Sequence, residues 1–84
     1  METGTASGGN PMRSYNLFCS KANEGIVCAV PEEYAVPGFV TERAWAFGGK
    51  VDGPASQPTG FDGRAAETAV RFNGFYLFQS DGAP

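Results

Sequence analysis

The stretch Phe61–Ser80, FDGRAAETAVRFNGFYLFQS, decides the fold, because it shows one helix with both ends marked and the strand that follows it. Asp62 carries a short carboxylate suited to accept from the unpaired N–H groups of a first helical turn. Gly74 suits the left-handed conformation that closes a last turn. Between them, Gly63 to Asn73 contains mostly good helix formers. Phe61, just before the cap, is placed to staple onto Ala66, and Phe75, just past the glycine, to clasp Val70. The chain then turns into Phe75-Tyr-Leu-Phe-Gln79, aromatic and apolar on both alternating sides, as in a central buried strand rather than a half-exposed one.

Working outward from there, residues 14–20 alternate, with Tyr15, Leu17 and Cys19 on one side and Asn16, Phe18 and Ser20 on the other. Lys21 to Gly25 is polar and turn-like, and Ile26 to Val30 is a second apolar run, so 14–30 reads as a β-hairpin. Pro31 lacks a donor and cannot extend the ladder. Pro31 to Ala35 suits a single helical turn, which Pro37 then stops. Gly38 to Val51 has two readings. One is a strand over about Ala44 to Val51 with Arg43, Trp45 and Phe47 on one face; the other is a short helix capped by Thr41 and ending at Gly48. The strand is favoured, because a Gly48-Gly49 pair breaks a helix but is absorbed by a strand as a bulge. Asp52 to Gly60 is loop by composition.

The order of elements predicts an α+β fold. It is a small single domain, a β-hairpin plus two further strands in one sheet, with one helix in the C-terminal half packed on it. The link from the third strand through the helix to the last is compatible with a parallel crossover. The Gly-, Ser- and Thr-rich opening Met1–Pro11 reads as a disordered leader ahead of a domain over 12–84. About 70 residues then remain, a size at which a single core gives marginal stability.

Composition limits the function. The 84 residues carry a formal charge of −3 and only six Lys and Arg, a poor basis for a nucleic-acid-binding face. There is no histidine, which removes the commonest general base at neutral pH and the main nitrogen ligand for zinc. No apolar run approaches the roughly 20 residues of a membrane span. The default is a cytoplasmic chain without cofactor or metal. Arg71 to Phe78 shares a basic first position, a glycine and two aromatics with base-stacking strands of RNA binders. Phe72, Asn73 and Tyr76 depart from that pattern, and the glycine ends a helix, so sheet core is the better role for Phe75 and Phe78. Glu32-Glu33 reads as solvated charge rather than an acid–base pair. Gly48-Gly49-Lys50 lacks the ending of a phosphate loop.

Cys19 and Cys28 are the two cysteines. A hairpin turning tightly at Asn23-Glu24 sets Cys19 opposite Cys28, where a disulfide is possible if the pair is oxidised; a register displaced by one residue puts them on opposite faces. No disulfide is expected in a reducing compartment, and buried structural thiols are the favoured reading.

Of the seven Phe, three Tyr and one Trp, Tyr15, Tyr34, Phe39, Trp45, Phe47, Phe72 and Tyr76 cannot all be packed inside by one helix and a small sheet. The sheet face left open by the helix is therefore expected to carry an aromatic patch, unless the 31–43 segment folds over it as a second layer. The function expected is a small non-enzymatic interaction or regulatory module, joined to a protein partner or to itself as a homodimer, with Trp45, Tyr76, Tyr34 and Arg43 as interface residues. The alternative is a small-ligand binder whose aromatic pocket lies between the sheet and Pro31–Val40.

Overall fold

The polar residues Lys21–Gly25 allow the two apolar runs beside them to fold back on each other. In the computed structural model, which describes residues 13–53 and 56–80, these runs form β1 (Tyr15–Ser20) and β2 (Ile26–Pro31). They pair antiparallel, with Tyr15 opposite Pro31 and Cys19 opposite Val27. Ser20 Oγ holds the turn by accepting from the N–H groups of Ala22 and Asn23, at 3.2 and 3.0 Å. The leader expected over Met1–Pro11 lies outside the described residues.

β3 (Trp45–Val51) pairs with the other side of β1 and β4 (Tyr76–Gln79) with the other side of β2, both antiparallel. The four-stranded sheet therefore has the order β3-β1-β2-β4. One helix, α1 (Gly63–Asn73), packs on it, and the domain is α+β as the sequence predicts. The strand order corrects two expectations, one being that β4 is central and buried: it is an edge strand with alternate residues exposed. β3 and β4 lie at opposite edges and, by the chain of antiparallel pairings, run in opposite directions, so the helix is no parallel crossover. Among strands consecutive in the chain, the two that run the same way are β2 and β3, separated by β1 and joined by residues 32–44.

Pro31 ends β2 at no cost to the ladder. The Glu32 N–H donates to the Ser14 carbonyl at 3.0 Å, which makes Pro31 and Tyr15 a non-hydrogen-bonded pair, so the donor that Pro31 lacks would have faced away from β1. After it the Tyr34 N–H reaches the Pro31 carbonyl at 3.0 Å in a simple turn. Thr41 caps one turn, its Oγ1 accepting from Ala44 at 3.3 Å and its carbonyl from Trp45 at 2.8 Å. That turn feeds a strand, not a helix. Within β3, Phe47 faces Phe18 and Gly49 faces Leu17, so Gly48 is the extra residue of a bulge. Gly49 has a φ of 128°, which favours glycine, and a Cβ on Gly48 would lie 2.5 Å from Cys19 Sγ, so that side chain would have to move.

The helix covers one face. Ala66 and Val70 are buried with Tyr15, Leu17, Val27, Ala29, Val51, Tyr76 and Phe78. Phe61 packs on that cluster with its ring edge-on to Tyr15, Tyr76 and Phe78 at centroid distances of 5.4, 5.5 and 5.4 Å. Asp62 Oδ1 accepts from the N–H groups of Arg64 and Ala65 at 3.0 and 3.3 Å, and Gly74 closes the helix at φ 86°. Phe75, expected to clasp Val70, makes its ring contact with Phe39 at 5.0 Å. Gly60, at φ 92°, packs so closely on the Gln79 carbonyl that no Cβ fits.

Two substitutions test these joints by urea denaturation. Asp62→Ala is expected to cost about 1 kcal/mol. Gly60→Ala is expected to cost about 2 kcal/mol or more, from the left-handed backbone and the clash together. Equal stability for Gly60→Ala and the parent chain would contradict the packing of this loop on β4.

Candidate functional site

Strand alternation turns Phe18, Cys28, Val30, Trp45, Phe47 and Leu77 to the face away from the helix. The chain leaves β2 at one end of the sheet and enters β3 at the other, so residues 32–44 cross this face. Phe39 in that segment lies edge-on to both Phe75 (5.0 Å) and Trp45 (5.9 Å). Cys28 and Val30 are fully buried. The cover is thin. Phe47 is 65 % exposed, Leu77 48 %, Val36 46 %, Phe39 44 % and Tyr34 40 %. With 150–250 Å² for each aromatic side chain, these fractions leave roughly 450 Å² of apolar surface in water. The second layer and the open patch, alternatives at the level of sequence, thus coexist.

At the β3 end of the face lies a groove of about 400 Å³, walled by Phe18, Trp45 and Phe47 and by Val40 and Thr41 of the crossing segment, with Lys21 and Glu42 at its rim. The Phe18 and Phe47 rings meet edge-on at 5.9 Å. Lys21 Nζ donates to the Glu42 backbone carbonyl at 2.7 Å and so ties the segment to the hairpin turn. At the other end, Lys50 pairs with Glu32, and Arg13 with Glu33 at 3.5 Å. The hydrogen bond and charge of Glu32 hold the Lys50 ammonium protonated above its usual range.

The four residues expected at an interface separate in the structure. Trp45 is half-buried and lines the groove. Tyr34 lies at the opposite end under the Arg13 guanidinium, 5.6 Å from its ring centroid. Arg43 is exposed in the turn before β3. Tyr76, expected at the surface, is interior: it shares the helix face with Phe78 and its hydroxyl accepts from the Asp62 N–H at 3.3 Å. The polar tip that suggested an interface serves the helix start instead. Phe39 and Phe47, part of the aromatic excess but not of the expected interface residues, are exposed, as is Leu77, which alternation turns to the side opposite Tyr76.

The hairpin register leaves Cys28 opposite Phe18 and Cys19 opposite Val27. The displacement by one residue puts the two sulfurs on opposite faces, and both thiols are free. Burial pushes the Cys28 thiol up to about 11 from its ordinary 9.0. No helix among the described residues is long and apolar enough to cross a membrane. No protein-family model, curated protein or solved structure matches the chain.

Thiol chemistry separates the two faces. In native protein at neutral pH one thiol, Cys19, is expected to react promptly with an aromatic disulfide reagent, and Cys28 only in denaturant; two promptly reacting thiols would place Cys28 outside the core. Stability should also fall in alkali. The folded chain holds the Cys28 proton more tightly than the unfolded chain does, so this contribution is complete below pH 9.0 and is lost as pH rises toward about 11, by up to about 1.4 kcal/mol per pH unit. Desolvation shifts the Tyr15 hydroxyl in the same direction. Urea midpoints should decline over that window and decline less in Cys28→Ala; a flat profile for the parent chain would contradict the burial.

Proposed function

We propose that this chain is a small cytoplasmic protein-interaction module of regulatory kind, acting without catalysis, whose docking surface is the open aromatic face of the sheet. One observation carries the reading. Five large apolar side chains, Tyr34, Val36, Phe39, Phe47 and Leu77, are 40–65 % exposed in a domain whose helix face is closed over a dry core. Leaving this much apolar surface in water is unfavourable, at about 25 cal/mol per Å², and a partner protein that covers it recovers that free energy. The mixture of rings and aliphatic side chains with a charged rim is the composition of such surfaces.

A second reading is supported by the groove at Trp45. Its volume of about 400 Å³ and its aromatic walls suit a small planar ligand stacked between Phe18, Trp45 and Phe47, with Lys21 and Glu42 offering polar contacts. Titration of such a ligand would shift tryptophan emission at one-to-one stoichiometry.

The interaction reading makes a double prediction. Leu77→Ser should change the stability of dilute protein by no more than about 0.5 kcal/mol, and Phe47→Ser by no more than about 1.5 kcal/mol, the worth of its edge-on contact with Phe18. A photo-crosslinking amino acid at position 77 should yield a discrete protein adduct in cells. Losses above about 1.5 kcal/mol in both variants, or irradiation that returns free chain alone, would contradict it.

A further inference from the structure

Of the four asparagines, Asn73 alone is followed by glycine. In that dipeptide the glycine nitrogen is free to attack the side chain before it, because no Cβ stands in the way. Asn73 is the exposed last residue of α1, and its side-chain amide makes no hydrogen bond among the described residues. The nucleophile beside it is restrained. The Gly74 N–H donates to the Val70 carbonyl at 2.9 Å from a left-handed backbone at φ 86°. Only the deprotonated amide attacks, and a nitrogen engaged as a donor keeps its proton. The helical backbone also turns the Asn73 Cβ out of the plane of the 73–74 peptide, whereas closure of a cyclic imide needs it near that plane. Both restraints are lost together when the last helical turn opens.

The same joint anchors the segment that crosses the open face. Phe75, the residue after the cap, holds Phe39 edge-on at 5.0 Å, and Phe39 meets Trp45 at 5.9 Å. A Cβ on Gly74 would lie 4.0 Å from Tyr34 Cδ2, so the cap also adjoins the start of that segment. Cys28 and Val30, fully buried on the crossed face, depend on this cover.

We propose that Asn73-Gly74 is a deamidation site held inactive by the helix cap, and that its conversion to isoaspartate releases the crossing segment from the sheet. The Gly74 nitrogen, deprotonated by base, forms a bond to the Asn73 side-chain carbonyl carbon. The side-chain nitrogen leaves as ammonia, taking its proton from water, and a cyclic imide remains. Water then opens the imide at either carbonyl, giving aspartate or isoaspartate. In isoaspartate the main chain runs through the former side-chain carboxyl and is one methylene longer. The Gly74 N–H no longer meets Val70, and the freed α-carboxylate stands at the negative end of the helix dipole. Phe75 moves with the lengthened chain and leaves Phe39. Ordinary aspartate at position 73 adds the charge but keeps the path of the backbone, so the two products separate the causes.

The full chain, kept in warm, mildly alkaline buffer with and without guanidinium chloride, should show by peptide mapping the mass gain of an amide-to-acid exchange at residue 73. The native chain should gain it more slowly than the unfolded one by an order of magnitude or more. Asn73→Gln, which closes the imide poorly, should lose the signal. The isoaspartyl chain, separated from the aged sample by chromatography, should keep its far-ultraviolet circular dichroism. Its Cys28 should react with an aromatic disulfide reagent in native buffer at least an order of magnitude faster than Cys28 of the parent chain or of Asn73→Asp. Equal rates in native and unfolded chain would overturn control by the cap, and no gain at residue 73 in either would overturn the site. Cys28 as closed in the isoaspartyl chain as in the parent, equal opening by Asn73→Asp, or an isoaspartyl chain without secondary structure would overturn the link to the crossing segment.

Discussion

The edge-on contact of Phe61 with three rings of the sheet is the interaction on which the rest depends. Tyr15 belongs to β1, and Tyr76 and Phe78 to β4, strands that are not neighbours. One side chain thus bridges the width of the central sheet at the point where the chain enters the helix. The next residue, Asp62, caps that helix through its carboxylate and gives its own N–H to the Tyr76 hydroxyl. Position and direction of α1 are set there, before its first turn, and Ala66 and Val70 follow onto the sheet. Edge-to-face aromatic pairs contribute beyond the area they bury, which matters where one thin core carries the stability.

A single helix can cover only one face. The other is crossed by residues 32–44, which hold few hydrogen bonds of their own beyond three short turns and are anchored by Phe39 between Trp45 and Phe75. This strap seals Cys28 and Val30 and stops short of Phe47 and Leu77. The exposed face is therefore a consequence of topology. The connection on that side is a crossover of 13 residues from 32 to 44, short and interrupted in its middle by Pro37-Gly38, which break a helix. The same topology leaves β3 at the outer edge beside these residues, while the loop carrying Gly60 packs on the Gln79 end of β4.

Much of this is legible in the residues themselves. Asp62 and Gly74 bound the helix because capping depends on local chemistry, and the Gly48-Gly49 pair marks a bulge for the same reason. The hairpin register is different: it is fixed by how Ser20 and Gly25 shape a five-residue turn, and a change of one residue there moves Cys19 to the other face from Cys28. Tyr76 shows the limit of reading a side chain by type. A tyrosine is suited equally to a wet interface and to a dry site with one hydrogen-bond partner, and the Asp62 N–H that decides between them is fourteen residues away. Phe47 and Leu77 carry no distinguishing chemistry, and their exposure follows from the path of the strap, which no local pattern announces.

The central claim is that the cluster under the helix is dry while the strap covers the other face only in part, over Cys28 and Val30. Paramagnetic relaxation by a soluble gadolinium chelate, read at the side-chain protons of dilute protein by nuclear magnetic resonance, measures this directly. Strong enhancement is predicted at Phe47, Leu77 and Phe39, with little at Tyr76, Phe78, Val70 and Cys28. Comparable enhancement on the two faces, or protection of Phe47 and Leu77 in the monomer, would contradict the account.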